Sequence, residues 1–103
     1  MPGLLVTSGL IARRYFVSGS VQGVGYRMFA VGAAARSGVS GGYTRNLRDG
    51  RVEVFAMGDA AQLDGLRREL QAGPRFASVR EVGEEPAELD ERYAGEFQIE
   101  YDR

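Results

Sequence analysis

Between Ile11 and Ser37 a β-forming run, a turn carrying three glycines and an alanine-rich helical pattern follow one another without interruption. That succession constrains the chain to begin with a strand-turn-helix unit, because a two-residue and a 3.6-residue apolar period belong to different conformations. From Ile11 to Ser18, Tyr15 and Val17 fall on one face and Arg14, Phe16 and Ser18 on the other, as in a half-buried strand. Tyr26, Phe29, Ala30 and Ala33 then recur at helical spacing as far as Ser37-Gly38, where Gly38 suits a left-handed cap. The turn between them, Gly19-Ser20-Val21-Gln22-Gly23-Val24-Gly25, has the makings of an anion cradle. Its glycines let successive amides face one concavity, and the helix that follows offers first-turn N–H groups without an internal acceptor. A phosphate would satisfy those donors, and Arg27 in the first turn adds a permanently charged planar fork. Taken alone, the same turn would serve equally well as a tight structural connection.

The remaining chain extends this beginning into a layered fold. Tyr43-Thr44-Arg45-Asn46 reads as a short strand, Leu47-Arg48-Asp49-Gly50 as a hairpin turn through its Asp-Gly pair, and Val52 to Met57 as the returning strand. Asp59 as N-cap and Gln62 three residues later form a capping box for a second helix, whose stripe is Leu63, Leu66 and Leu70 and which ends before Gly73-Pro74. Ser78 to Val82 reads as a fourth strand, Glu84 to Glu91 as a solvated acidic loop, and Phe97, Ile99 and Tyr101 as a fifth strand. The order predicts an α+β fold, the ferredoxin-like (split βαβ) two-layer sandwich. It has an antiparallel sheet of four to five strands, the first and third central, and both helices on one face. Residues 1–10 read as a flexible lead-in without the features of a signal peptide, and 11–103 as one domain.

Composition narrows the chemistry. A chain of 103 residues that is 44% hydrophobic suits one globular domain, and a net charge of −1 argues against general affinity for nucleic acid or anionic membranes. There is no Cys, no His and no Lys, since all 13 basic residues are Arg. A thiolate nucleophile, a histidine acid/base pair, a P-loop lysine, a Schiff-base lysine and a Cys-based metal site are therefore excluded. Any catalysis has to use Arg, Asn or Gln, hydroxyls, carboxylates or backbone amides.

Three blocks then carry a resemblance. Gly19 to Arg27, Arg45-Asn46-Leu47 and Asp49-Gly50-Arg51-Val52-Glu53-Val54 resemble the acylphosphatases in order and spacing, with the likeness running from about Arg13 to Tyr101. It includes the V-Q-G-V core, the arginine three residues after it, the R-N-L-x-D-G-x-V-E-V hairpin and the F-x-I-x-Y strand. The resemblance implies a small hydrolase that cleaves the carboxyl-phosphate anhydride of acyl phosphates with one arginine, one asparagine, no metal and no cofactor. Those roles fall on Arg27 and Asn46. The amides of Ser20, Val21, Gln22, Gly23, Val24 and Gly25 would hold the phosphoryl group together with Arg27, while Asn46 orients a water. The expected partner is a small acyl phosphate, with no nucleic acid or membrane, for a monomer in the cytoplasm. Gln22 is expected to shape the loop through its side chain, Asp49 to form the turn, and Arg45 to face solvent.

One departure tests the assignment of Asn46. Gly38-Val39-Ser40-Gly41-Gly42-Tyr43-Thr44 is one residue longer than the G-L-x-G-W-V usual in the family and has Tyr for Trp. A one-residue slip moves a whole strand's side chains to the other face, so Asn46 meets the cradle only if the extra glycine is absorbed before Tyr43. Two alternatives stand beside the enzyme. One is a non-catalytic acylphosphatase-like anion-binding or regulatory module, against which the intact Arg27 and Asn46 speak. The other is an RNA-binding sheet, against which the lack of an RNP1 pattern in Val52 to Met57 speaks.

Overall fold

The computed structural model describes residues 9–101, so most of the expected lead-in lies outside the described residues. Within them the order is β1 (Ile11–Ser20), α1 (Tyr26–Ser37), β2 (Gly41–Asn46), β3 (Val52–Gly58), α2 (Ala60–Ala72) and β4 (Ser78–Ala87). A 3-10 turn (Glu91–Tyr93) and β5 (Phe97–Glu100) complete it. The strands form one sheet in the order β4-β1-β3-β2-β5, with β1 and β3 inside. This is the ferredoxin-like α+β sandwich that the periodicities predict.

Two details differ from the expectation. The sheet is mixed, because β5 runs parallel to β2 from Gly42↔Phe97 to Arg45↔Glu100. The cause is topological. β4 runs antiparallel to β1 and ends at Ala87 opposite Ala12, the end of the sheet where β2 begins. A strand starting there on the far edge has to run alongside β2. The connection crosses the open face of the sheet, where Tyr93 packs on Tyr43 and Phe55. The second difference is that β4 takes in Glu84, Glu85 and Pro86, which composition assigned to a loop. β4 is an edge strand, where a residue without an N–H is tolerated. Its carboxylates are met by arginines of neighbouring elements: Arg67 lies 2.8 Å from Glu84, Arg13 3.6 Å from the same residue, and Arg14 3.8 Å from Glu85.

The core lies between sheet and helices. Tyr15 and Val17 of β1 and Val52, Val54 and Ala56 of β3 meet Tyr26, Ala30 and Ala33 of α1 and Leu63, Leu66 and Leu70 of α2. Two phenols that enter this core end on carbonyls of α2, Tyr15 donating to Leu63 O at 3.0 Å and Tyr26 to Leu70 O at 2.7 Å. The capping box forms as the sequence indicates, with the Asp59 carboxylate accepting from the Gln62 N–H and the Gln62 amide oxygen from the Asp59 N–H.

The extra glycine does not disturb β2. Its ladder with β3 is unbroken from Gly41↔Met57 to Asn46↔Val52, and just before it the Ser40 N–H donates to Met57 O at 2.7 Å. Gly41 and Gly42 are strand residues under close approach, because a Cβ on either would collide with the carbonyl of Tyr93 or Phe55 respectively. Tyr43 and Arg45 therefore lie on the open face, against Phe55 and Glu53, and Asn46 on the helical side. Among the described residues no helix is long and apolar enough to cross a membrane.

Candidate active site

At one end of the sheet β1 delivers the chain into α1, and β2 turns into β3. Past Ser20 the backbone bends through residues 21–25, with Gly23 at φ 77 and Gly25 at φ 82, values at which a side chain would be strained. Gly25 is also the N-cap of α1 and supplies no side-chain hydrogen bond, so no capping side chain competes for the helix's first N–H groups. None of the main-chain N–H groups of residues 22–25 donates to a main-chain carbonyl among the described residues. Val21 is buried and anchors the loop in the core.

Gln22 fixes the loop from the other side. Its Nε2 donates to Leu47 O at 2.7 Å and to Arg51 O at 2.9 Å, joining the loop to the β2–β3 hairpin. Asp49 closes that hairpin, accepting from the Arg51 N–H at 3.1 Å and its Nε at 2.9 Å. These bonds hold the Asp49 carboxyl below the usual carboxylate range, which suits a turn former rather than a base.

Loop, helix, β2 and the end of β5 enclose a cleft of about 140 Å³. Val21, Gly23 and Gly25 line it from the loop, Tyr26, Arg27 and Met28 from α1, Asn46 from β2, and Ile99 and Tyr101 from the last strand and its end. Arg27 is held from that last side. Its Nη1 donates to Glu100 O at 3.4 Å, and its guanidinium lies 5.0 Å from the centre of the Tyr101 ring.

The structure thus brings Arg27, Asn46, Val21, Gly23 and Gly25 to one cleft, while Ser20 stays in β1 opposite Ser78, and neither Gln22 nor Val24 lines it. Gly19, read as part of the cradle, belongs to β1 at a bulge, packed so closely on Ser78 that a Cβ would strike its carbonyl. Arg45 is exposed, as expected, yet it also pairs with the buried Glu53 at 2.7 Å. Met28, Ile99 and Tyr101 were not legible as site residues. Alternation marks Ile99 and Tyr101 as strand residues, but only the parallel pairing of β5 with β2 places them beside Asn46.

The acylphosphatase family model matches residues 13–99. An acylphosphatase of Solibacter usitatus is 51% identical over 78 residues, 76% of this chain and 80% of its own. That of Archaeoglobus fulgidus is 41% identical over 92 residues, 89% of this chain and all of its own. The crystal structure of the acylphosphatase from Bacillus subtilis superposes with a TM-score of 0.79 at 32% identity, covering 89% of this chain and 99% of that one. Because the match runs through the glycine loop at 19–25, the R-N-L hairpin and the last strand together, the chain belongs to the acylphosphatase family.

Proposed function

We propose that Arg27 and the amides of residues 20–25 hold the phosphoryl group of a small acyl phosphate while Asn46 orients the water that attacks it. Membership of the family makes the chain an enzyme of acyl phosphate hydrolysis. The observation that supports these roles is the placement of Arg27 and Asn46 in one cleft with Gly23 and Gly25, on strands and a helix that are locked together by Gln22.

The chemistry fits the residues at hand. Phosphoryl transfer asks a protein mainly for position and for neutralisation of the equatorial oxygens. The Arg27 fork supplies the charge, and the loop amides at the N-terminus of α1 supply donors without a side chain to block approach. The water oxygen forms a bond to phosphorus as the bond to the acyl oxygen breaks, and the bonding pair leaves with the carboxylate. A carboxylate leaving group has a conjugate-acid pKa near 4, so no general acid is needed and the absence of His is no obstacle. The water's proton passes to a phosphoryl oxygen of the substrate, giving a carboxylate and inorganic phosphate without a metal.

Steady-state hydrolysis of benzoyl phosphate and of a phosphate monoester, each with and without a chelator, tests the reaction. Turnover of the first alone, unaffected by the chelator, is expected. Monoester hydrolysis or loss of activity on chelation would overturn the mechanism.

A further inference from the structure

The phosphate loop explains how a phosphoryl group is held and leaves open what holds the other half of the substrate. The cleft's lining limits the answer. With the phosphoryl group on Arg27, the acyl group passes the residues beside that guanidinium, Met28 next in the chain and Tyr101 over its plane. The rim is apolar. Met28 is 67% exposed and Tyr101 71% exposed, two of the large hydrophobic side chains that the fold leaves in water, and both stand at this one opening with the half-buried Ile99 between loop and strand. Met28 follows Arg27 on α1, and Tyr101 lays its ring over the same guanidinium. Neither position is explained by packing, because the core closes without them.

Charge points the same way. Arg27 is the one charged side chain among the described residues that line the cleft, and the phosphoryl group occupies it. A second carboxylate or phosphate on the acyl group would meet methionine, isoleucine and a phenol ring, none of which compensates its lost hydration.

We propose that Met28, Ile99 and Tyr101 form an acyl-group subsite that favours acyl phosphates with an aryl or extended alkyl group over those carrying a second negative charge. The proposal rests on the reaction described above and names the class of substrate that the same site takes. Met28 contributes a flexible, polarisable surface that adapts to different apolar groups, and Tyr101 an aromatic one. Met28 is the residue to vary, since it is exposed and outside the core, whereas Tyr101 also touches Arg27.

The test compares kcat/KM for acetyl phosphate, benzoyl phosphate and succinyl monophosphate in the wild type, Met28→Ala and Met28→Arg. The wild type is expected to rank benzoyl above acetyl above succinyl. Met28→Ala is expected to lower the benzoyl-to-acetyl ratio about tenfold, chiefly through KM, as for loss of an apolar contact to a substrate group. Met28→Arg is expected to raise succinyl relative to benzoyl by a similar factor. A benzoyl-to-acetyl ratio unmoved by both substitutions overturns the subsite while acetyl phosphate turnover keeps the reaction standing. Failure of the wild type on all three substrates overturns the reaction, and the subsite with it.

Discussion

Arg27 carries five N–H donors in a rigid fork, and the structure spends one of them on the Glu100 carbonyl at 3.4 Å while Tyr101 covers the guanidinium plane. A side chain held by a backbone carbonyl and a ring, with no carboxylate partner among the described residues, keeps its charge for a ligand. Arg27→Ala is expected to lower kcat/KM for benzoyl phosphate by about 100- to 1,000-fold, the usual loss for one preorganised donor, and to weaken inhibition by inorganic phosphate. Asn46→Ala should lose turnover by a comparable factor with phosphate inhibition largely kept, if its part is the proposed orientation of the water. Wild-type turnover in Asn46→Ala would remove the water-orienting role. That these two residues share a cleft was legible because each sits in a short local pattern, V-Q-G-V-G-Y-R and R-N-L-x-D-G, whose spacing survives any rearrangement elsewhere. Met28, Ile99 and Tyr101 were not, since their membership of the site depends on which way β5 runs.

At the scale of elements, α2 is tied to the rest of the core by two phenols. Tyr15 reaches it from β1 and Tyr26 from α1, each donating to a carbonyl of α2 in surroundings that water does not enter. Burial pushes both phenols above their ordinary value near 10. A group whose folded pKa lies above the unfolded one contributes stability that is complete below the unfolded value and fades as pH rises past it. Thermal unfolding followed by circular dichroism should therefore show a flat melting temperature up to about pH 10 and a fall above it. Tyr15→Phe and Tyr26→Phe should each cost about 1 kcal/mol at neutral pH, the net worth of one hydrogen bond, and shrink the alkaline fall. An alkaline fall of full size in the double Phe variant would place its origin elsewhere. The sequence showed that Tyr15 and Tyr26 belong to the apolar faces of β1 and α1, and so to the core. It could not show their acceptors, because Leu63 O and Leu70 O are main-chain atoms forty residues and more away. The fate of Glu84 to Pro86 has the same character: charge alone suggested a loop, whereas the ladder with β1 makes it a strand, and Arg13, Arg14 and Arg67 meet its carboxylates.

Over the whole molecule the net charge of −1 conceals an uneven distribution. Arg27, Arg48, Arg68, Arg75 and Arg80 have no carboxylate partner within 4.0 Å among the described residues, whereas Arg13, Arg14, Arg36, Arg45, Arg51, Arg67 and Arg92 are paired. Arg68 lies on α2 beside Arg36 and Glu69, and the topology places the other four at the cleft's end of the sheet. Arg48 is in the β2–β3 hairpin beside Asn46, Arg75 in the turn that leads into Ser78 opposite Ser20, and Arg80 against Gly19. The carboxylates at this end are Glu81 on β4, the Arg51-bound Asp49, and Glu100, whose side chain accepts from the Tyr93 hydroxyl. Asp59, Glu84, Glu85, Glu88 and Glu91 lie toward the end where β1 and β2 begin. An acyl phosphate dianion approaching such a molecule is drawn to this end of the sheet, with a range set by a screening length of about 10 Å at 0.1 M salt. For a wild type assayed on benzoyl phosphate, kcat/KM should fall about two- to fivefold between 10 and 300 mM of a non-binding salt, with kcat nearly constant. Arg48→Glu with Arg75→Glu leaves every cleft residue in place and should both lower kcat/KM at low salt and flatten its dependence on salt. A double variant with the wild-type slope would show that the four arginines exert no pull beyond the cleft, and that Arg27 acts on the substrate only at contact.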